Sequence, residues 1–432
     1  MYEIWGGWVI TSEGIKENYS LAIEKGIIKD MGPRDEMRKK YNFEDSIGKY
    51  SRIVCPGFVD AHMHSFQIAT KGLTADESLL EWLKKYIWKW EGELTKERAK
   101  ACAESAYLHM LHCGVTTFSD YTSVHHVEEA FKAARKFGMR AVIGKTLMDR
   151  NSPPELQQDT DACLKETKSL LKKWHGQKKG LLSYAVTPRF CITATDDLLR
   201  GCKKICDQYK VLFRTHTEEN MSEVKWERKE YGKSSIQHLD ELGLLNERTL
   251  LTHCVWTSKK DIRLIAKNNA SVSHCPGSNM LLASGAADTP YMLKKGVNVC
   301  LGTDVAAYYN FSMFEQARLA CLMQKEERHD PHAMDHIRAF AMATKNGANA
   351  LGLKHTGEIK VGNKADLILL STTHLAFSPL NDAISQIVYS TFPYAVDSVI
   401  CNGKVLMRER EVLVADARKI MYRAKEILGV KK

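Results

Sequence analysis

The chain has 432 residues, of which 44% are hydrophobic and 26% are charged, a balance typical of a globular protein that buries a sizeable core. Its formal net charge of +10 is spread over short basic pairs rather than a dense basic run, which argues against a nucleic-acid interface. No apolar run reaches the roughly 20 residues that a membrane span needs, so we expect a small-molecule partner, no nucleic acid and no membrane.

The amino-terminal segment, residues 1–52, consists of short alternating runs broken by glycine, for example at Gly6 and Gly7. Residues 358–413 repeat this texture, with strand-like runs at 366–370 and 396–406. A closing helix is predicted over 415–428. We therefore expect one small β-sandwich domain assembled from both termini, covering residues 1–54 and 360–432.

Between these ends, short β-rich runs alternate with amphipathic helical runs, which is the pattern of repeated βα units. The predicted strands cover residues 53–60, 115–119, 140–146, 181–186, 211–215, 249–252, 270–273 and 297–302. The clearest intervening helices are predicted over 96–112, 124–137, 156–174, 196–209 and 259–268. The fold class is thus α/β, with a (β/α)8 TIM-type barrel over residues 55–359.

Twelve cysteines are scattered along the chain without a Cys-x-x-Cys pair. The opening residues Met1, Tyr2 and Glu3 lack the basic start of a secretory signal. We expect buried thiols in a reducing cytoplasm.

Polar residues mark the ends of the predicted barrel strands, where active sites of such barrels form. These positions are His62 and His64, the run from Thr187 to Phe190, His216, His253, His274 and Asp304. His62 and His64 are two residues apart on a strand, so they project from the same face and can share one ion. Alone, the pair could equally be two hydrogen-bonded side chains.

His62, His64, His216 and Asp304 make a nitrogen-rich set with one carboxylate, which suits one zinc ion per chain, with iron(II) as the alternative. A free coordination position would hold a water, which indicates catalysis rather than a structural site. The competing interpretation is four unrelated core residues.

Glu219 lies three residues after His216 and is predicted to move a proton from a water to a leaving group. Glu218 should point elsewhere, and both glutamates could instead merely favour a helix start. Asp304 is expected to orient the attacking water as well as bind the metal, and His253 to stabilise the reacting oxygen or polarise the substrate.

Other polar residues are weaker candidates. His329, His332 and His336 are assigned to a solvated loop and helix start, while His125 with His126 and His109 with His112 flank helices. Lys145, at the end of the third strand, could be carboxylated to bridge two metals. We favour a structural or substrate-side role, because the four ligands already complete a mononuclear set.

The chain resembles the amidohydrolase superfamily, in particular its purine and pyrimidine-type deaminases. The resemblance runs from the segment Pro56 to His64, through Leu301 to Asp304, to the carboxy-terminal β segments. It implies a mononuclear zinc barrel flanked by a small β domain, with the four ligands above and with Glu219 and His253 as the proton-handling pair. It also suggests a homodimer or larger homo-oligomer.

Within this superfamily the chain is most similar to guanine deaminases, through Gln67 and the segments 144–151 and 185–190. In this branch Gln67 and Arg189 would bind the base, since a guanidinium donates to the O6 acceptor of guanine, and Phe190 would pack on the purine face. The segments 81–88, 252–256 and 387–390 are more similar to deaminases of methylthioadenosine and S-adenosylhomocysteine.

The predicted reaction is zinc-dependent hydrolytic deamination of guanine to xanthine and ammonia. The alternative is deamination of an adenosine derivative on the same scaffold, which would need room for a ribose and its tail. A non-catalytic scaffold that binds partners is a third possibility, but such a protein would be expected to lack metal ligands, and none is missing here.

Overall fold

The computed structural model describes residues 1–73, 76–305 and 307–428. The strands in this part of the chain are β1 (Tyr2–Thr11), β2 (Gly14–Glu24), β3 (Ile27–Pro33), β4 (Ser46–Pro56), β5 (Phe58–Met63), β6 (Val115–Tyr121), β7 (Arg140–Gly144), β8 (Thr146–Leu147), β9 (Leu182–Pro188), β10 (Leu212–Thr217), β11 (Thr249–His253), β12 (Ser271–His274), β13 (Asn298–Leu301), β14 (Leu367–Ser371), β15 (Val396–Cys401), β16 (Lys404–Arg408) and β17 (Glu411–Val412).

The α-helices of the same residues are α1 (Arg34–Lys40), α2 (Leu79–Trp82), α3 (Trp88–Gly92), α4 (Lys96–His112), α5 (Glu128–Phe137), α6 (Thr160–Trp174), α7 (Gln177–Gly180), α8 (Asp196–Tyr209), α9 (Met221–Tyr231), α10 (Ser235–Glu241), α11 (Lys259–Lys267), α12 (Pro276–Leu281), α13 (Thr289–Lys294), α14 (Met313–Arg328), α15 (His336–Met342), α16 (Lys345–Ala350), α17 (Ala383–Tyr389) and α18 (Ala417–Leu428). A π-helical turn, Leu83–Ile87, joins α2 to α3.

Eight parallel strands form the barrel, in the order β5, β6, β7, β9, β10, β11, β12 and β13. The seam between β13 and β5 is closed just beyond the strand ends, where the amide of Asp304 donates to the carbonyl of His62 at 2.9 Å. Next to it, the amide of Thr303 donates to Oδ1 of Asp60 at 3.0 Å. The predicted (β/α)8 fold is confirmed.

Alternation along the strands sends one set of side chains inward and the other outward. Small and branched residues of several strands, including Val59, Ala61 and Ala185, pack together in the interior. The outward set joins the larger core shared with the surrounding helices. Because the interior is packed, the barrel holds the side chains at the carboxyl ends of its strands in fixed positions.

Each predicted barrel strand overlaps an observed strand, but the first prediction, 53–60, crosses a break. Residues 53–56 end β4, which belongs to the terminal sheet, and the first barrel strand starts only at Phe58. Gly57 lies between them, and a Cβ there would lie 2.2 Å from Cγ2 of Thr116. The apolar run is continuous in sequence, so its pattern contains no signal for this break.

The two ends of the chain form one separate sheet, in the order β17, β16, β15, β14, β4, β1, β2 and β3. The sheet folds over its own core, so that the turn after β2 contacts the turn after β15. The two turns approach so closely that a Cβ on Gly403 would lie 2.5 Å from Cα of Gly26. Ile4, Leu21 and Ile400 pack in this core. A small β domain built from both termini is therefore confirmed. Its predicted limits stay a prediction, and residues 429–432 lie outside the described part.

Contacts between barrel and terminal sheet include a buried ion pair. Nε of Arg140, on β7, donates to Oδ2 of Asp366 at 2.8 Å, just before β14. Within residues 1–73, 76–305 and 307–428, no helix is both long and apolar enough to cross a bilayer. All twelve cysteines lie in these residues as buried free thiols.

Candidate metal centre and active site

The four predicted metal ligands meet at the carboxyl end of the barrel. Nε2 of His62 lies 3.1 Å from Oδ1 of Asp304, and Nε2 of His64 lies 3.3 Å from the same oxygen. Nε2 of His216 lies 3.3 Å from Nε2 of His64. Strands β5, β10 and β13 thus bring together residues that are up to 242 positions apart in sequence.

Hydrogen bonds behind two of these imidazoles determine which nitrogen faces the centre. Nδ1 of His64 donates to the carbonyl of Tyr121 at 3.0 Å, and Nδ1 of His216 donates to the carbonyl of Arg189 at 2.6 Å. Both Nε2 atoms therefore carry lone pairs and face each other. Two lone pairs and a carboxylate oxygen at such short distances repel unless a cation lies among them, so the donor set fits a divalent metal.

Burial favours the uncharged form of these ligands. Desolvation lowers the pKa of His62 to about 3 and holds the pKa of His216 well below its usual value. Both imidazoles are then neutral at pH 7, which is the form that binds metals.

One group of metal-binding side chains stands out in the described part of the chain: His62, His216, His253 and Asp304 have ligand atoms within 4.8 Å of one another. This set contains His253 where the sequence predicted His64. Nε2 of His253 lies 3.9 Å from Oδ2 of Asp304 and 3.4 Å from Oε2 of Glu219. His64 instead faces Oδ1 together with His62. We therefore assign the oxygen Oδ1 to the ligand side and Oδ2 to the side of His253.

Glu219 lies beside this centre, on the turn that leads from β10 into α9. Its amide donates to Oε2 of Glu223 at 2.8 Å, and a capping box at Asn220 starts the helix directly afterwards. Burial raises the pKa of Glu219 well above its usual value, and the carboxylates of Asp304 and Glu223 raise it further. Such a group can hold a proton near neutral pH, as an acid-base catalyst must. Glu218 is absent from the pocket lining.

A partly open pocket, whose volume of about 320 Å³ includes open solvent, opens onto the metal centre. Its apolar wall comprises Leu79, Trp82, Leu83 and Phe190, and its polar wall includes Gln67 and Arg189. The ring centroids of Phe190 and His216 lie 6.4 Å apart, and the two rings are nearly perpendicular. A flat, partly polar heterocycle matches this combination of walls.

Glu91, which the sequence analysis missed, organises the polar wall from behind. The guanidinium of Arg189 donates to its Oε2 at 2.8 Å, and Nε2 of Gln67 donates to its Oε1 at 2.7 Å. Glu91 is fully buried, and Oε1 of Gln67 is left buried without a hydrogen-bond partner. Glu91 lies on α3 with no strand-end position or metal-ligand spacing to mark it.

The weaker candidates lie away from the pocket lining, or their hydrogen-bonding groups already have partners. Nζ of Lys145 donates to the carbonyl of Val124 and to Gln158, both at 2.6 Å, and lies 3.1 Å from a carboxylate oxygen of Glu166. With all three hydrogens occupied, it suits a structural role. His336 starts α15 next to Asp382, and His274 is fully buried with neither ring nitrogen bonded.

The fold and this centre define a (β/α)8-barrel hydrolase with a candidate divalent-metal site. Residues 53–406 match the amidohydrolase family model. The chain belongs to the amidohydrolase family, as its resemblance predicted.

Curated relatives in this family include a 5'-deoxyadenosine deaminase of Methanosphaera stadtmanae, 34% identical over 376 residues, with 87% of each chain covered. The 5-methylthioadenosine/S-adenosylhomocysteine deaminase of Aquifex aeolicus is 33% identical over 411 residues, which cover 94% of this chain and 93% of the relative. These names differ from the guanine expectation and match its alternative.

Solved structures give a similar picture. An adenosine deaminase from Xanthomonas campestris with bound zinc superposes with a TM-score of 0.93 at 27% identity, covering 99% of this chain and 97% of the other. The guanine deaminase of E. coli superposes with a TM-score of 0.88 at 25% identity, covering 94% of this chain and all of the other.

Proposed function

We propose that this chain is a metal-dependent hydrolytic deaminase of aminopurines, and that adenosine derivatives are its main substrates. The observation that carries this proposal is the convergence of His62, His64, His216 and Asp304 beside the buried Glu219 in a partly open pocket. The overall reaction replaces the exocyclic amine with a carbonyl and releases ammonia.

We propose that His62, His64, His216 and Asp304 hold one divalent ion. Zinc is the expected ion, and iron(II) is the alternative. When bound, the ion supplies Lewis-acid activation of a water. Metal analysis of the purified protein should find about one ion per chain.

The twelve buried thiols fit the reducing cytoplasm expected from the sequence.

The remaining chemistry depends on proton transfer by Glu219 and on hydrogen bonds to His253 and Asp304. Glu219 removes one proton from the attacking water and passes it to the ring nitrogen next to the reacting carbon. It then moves the second proton from the new hydroxyl to the amine, which leaves as ammonia as the carbonyl forms. Nε2 of His253, 3.4 Å from Glu219, accepts a hydrogen bond from the O–H of the attacking water, because Nδ1 carries the hydrogen that faces Asn279. Oδ2 of Asp304 orients the water before attack.

Two lines of support favour adenosine derivatives over guanine. The curated relatives named above act, by name, on 5'-deoxyadenosine, methylthioadenosine and S-adenosylhomocysteine. In addition, Trp82 and Leu83 of the apolar wall lie in the segment 81–88, whose sequence is similar to that branch. Guanine, the first expectation from sequence, therefore becomes the second candidate.

One observation still favours guanine. Glu91 accepts one N–H of Gln67 and fixes its amide, so the buried Oε1 is a free acceptor that an N–H or O–H of a ligand could satisfy. Guanine offers N1–H beside its O6 acceptor, and Arg189 lines the same pocket as a donor. An adenine ring offers no such N–H apart from the departing amine, so a ribose hydroxyl would have to supply the hydrogen.

Steady-state ammonia release from 5'-deoxyadenosine, methylthioadenosine, S-adenosylhomocysteine, adenosine and guanine tests the proposal directly. We expect kcat/KM for at least one nucleoside to exceed the value for guanine by more than ten-fold. Turnover of guanine alone would transfer the assignment to the second candidate. A Gln67→Met variant distinguishes the two further, because loss of the acceptor should reduce guanine turnover more strongly than nucleoside turnover.

A further inference from the structure

Helix α12 presents two neighbouring residues to two different functional groups. The hydroxyl of Ser278 donates to Oδ2 of Asp304 at 2.6 Å, and Oδ1 of Asn279 lies 2.9 Å from Nδ1 of His253. Both side chains are fully buried. The sequence analysis singled out neither residue, because α12 follows β12 rather than the strands that carry Asp304 and His253.

The Ser278 hydroxyl distinguishes the two oxygens of Asp304. Oδ1 faces Nε2 of His62 at 3.1 Å and Nε2 of His64 at 3.3 Å, while Oδ2 receives the hydroxyl. A carboxylate bonded in this way cannot rotate about its Cβ–Cγ bond without breaking the bond to Ser278. The geometry keeps Oδ1 on the ligand side and Oδ2 towards His253.

Asn279 determines which nitrogen of His253 faces the pocket. An amide oxygen only accepts hydrogen bonds, so Nδ1 of His253 carries the hydrogen and Nε2 carries the lone pair. Nε2 then faces Oε2 of Glu219 at 3.4 Å. The backbone at His253 and Cys254 is left-handed, with φ of 72° and 50°, so this segment adopts a strained conformation for which a side-chain anchor compensates.

We propose that Ser278 and Asn279 are positioning residues for the deamination, acting through Asp304 and His253 respectively. This inference rests on the proposed function. Without Asn279 the His253 ring is free to change tautomer and orientation, so the transition state loses its hydrogen bond while ground-state binding of substrate and metal is retained.

The test compares Asn279→Leu, Asn279→Asp and the parent enzyme on the best nucleoside substrate. We expect Asn279→Leu, which has similar volume but no acceptor, to lower kcat about 10- to 100-fold with KM and metal content unchanged. Asn279→Asp restores an acceptor at Nδ1 and should recover most of kcat. Ser284→Ala is the matched control, because this buried hydroxyl in the next turn has no hydrogen-bond partner.

Ser278→Ala provides a second, independent measurement, with an expected loss of about ten-fold in kcat. Should Asn279→Leu fail to fold, Asn279→Ser, whose hydroxyl is too short to reach Nδ1, replaces it in the comparison.

The inference is overturned if Asn279→Leu retains parental kcat, if Asn279→Asp rescues nothing, or if lost metal accounts for the whole effect. A parent enzyme that deaminates none of the substrates would overturn the proposed function as well. An active parent with unaffected variants would overturn the positioning roles alone.

Discussion

Glu219, Glu223 and Glu227 follow one another at intervals of four residues where β10 passes into α9, and each is buried. Their surroundings differ. Glu219 lies 3.4 Å from His253, and Glu223 accepts backbone amides, whereas neither carboxylate oxygen of Glu227 has a partner. We therefore assign three identical side chains different roles. Glu219 is proposed to transfer protons, Glu223 fixes the backbone at the start of α9, and Glu227 is expected to reduce stability when it ionises.

Replacement of Glu219 by glutamine should abolish nearly all turnover while the metal stays bound. The amide has almost the same shape but cannot accept the proton, and proton transfer of this kind contributes typically 10²- to 10⁴-fold. Single-turnover rates and metal content measure the two effects separately. Glu218→Gln is the neighbouring control and should stay within a few-fold of the parent. Parental turnover by Glu219→Gln would show that another group moves the proton.

Replacement of Glu227 by glutamine should stabilise the protein at alkaline pH. Burial holds the pKa of Glu227 well above its usual value, and the carboxylate of Glu223 raises it further. The folded state thus keeps a proton that the unfolded state has already lost, and stability falls as pH rises between the unfolded and folded pKa values. Glutamine cannot ionise, so the variant avoids this loss.

Thermal unfolding across pH measures the effect. We expect the Tm of Glu227→Gln to exceed the parental Tm at pH 8, and the difference to shrink towards pH 5. Glu230→Gln, on an exposed position of the same helix, is the control. A pH-independent difference would mean that the carboxyl group does not titrate in the folded protein.

At the scale of elements, a buried ion pair joins the barrel to the terminal sheet. It links Arg140 on β7 to Asp366, the residue before β14. Arg140 and Asp366 are both almost inaccessible, with side-chain exposures of 5% and 1%. Asp366 also accepts the amide of Asn402, which belongs to the turn after β15. One carboxylate therefore joins two strands of the sheet to the barrel.

Asp366→Ala should destabilise the protein by about 3–5 kcal/mol, because it leaves a buried guanidinium without a partner. Guanidinium chloride unfolding gives the free energy. The exposed pair between Lys233 and Glu241 is the matched control, and Glu241→Ala should cost at most about 1 kcal/mol. Arg140→Met combined with Asp366→Leu should recover much of the loss. A single variant no worse than the control would contradict the role of this pair.

The sequence was sufficient to predict the eight barrel strands and several of the longer helices, and helices α4 and α8 have the predicted limits. It was insufficient where the cause lies in a distant residue. The break at Gly57 depends on Thr116, which the apolar pattern of 53–60 does not reveal. The four proposed metal ligands could be selected from sequence because each follows or ends a strand, whereas Glu91, Ser278 and Asn279 make contacts that only the folded chain creates.

At the scale of the whole molecule, removal of the metal should cost both activity and stability. Without a cation, the lone pairs of His64 and His216 face each other at 3.3 Å. A ligand present at 100 times its dissociation constant stabilises the folded state by about 2.7 kcal/mol. Chelator-treated protein should therefore unfold at lower temperature and release no ammonia, and added zinc should restore both. Full activity after verified removal of all metal would contradict the proposed mechanism.

The hydrogen bond between the amide of Asp304 and the carbonyl of His62 completes the ring of strands and, at the same time, sets two ligand residues side by side. The same hydrogen bond thus closes the barrel and aligns the side chains of His62 and Asp304. A fluctuation that separates β13 from β5 should therefore also separate the proposed ligands His62 and Asp304. The hydrogen-exchange rate of this one amide should consequently report the fraction of molecules competent to react, even before any substrate is added.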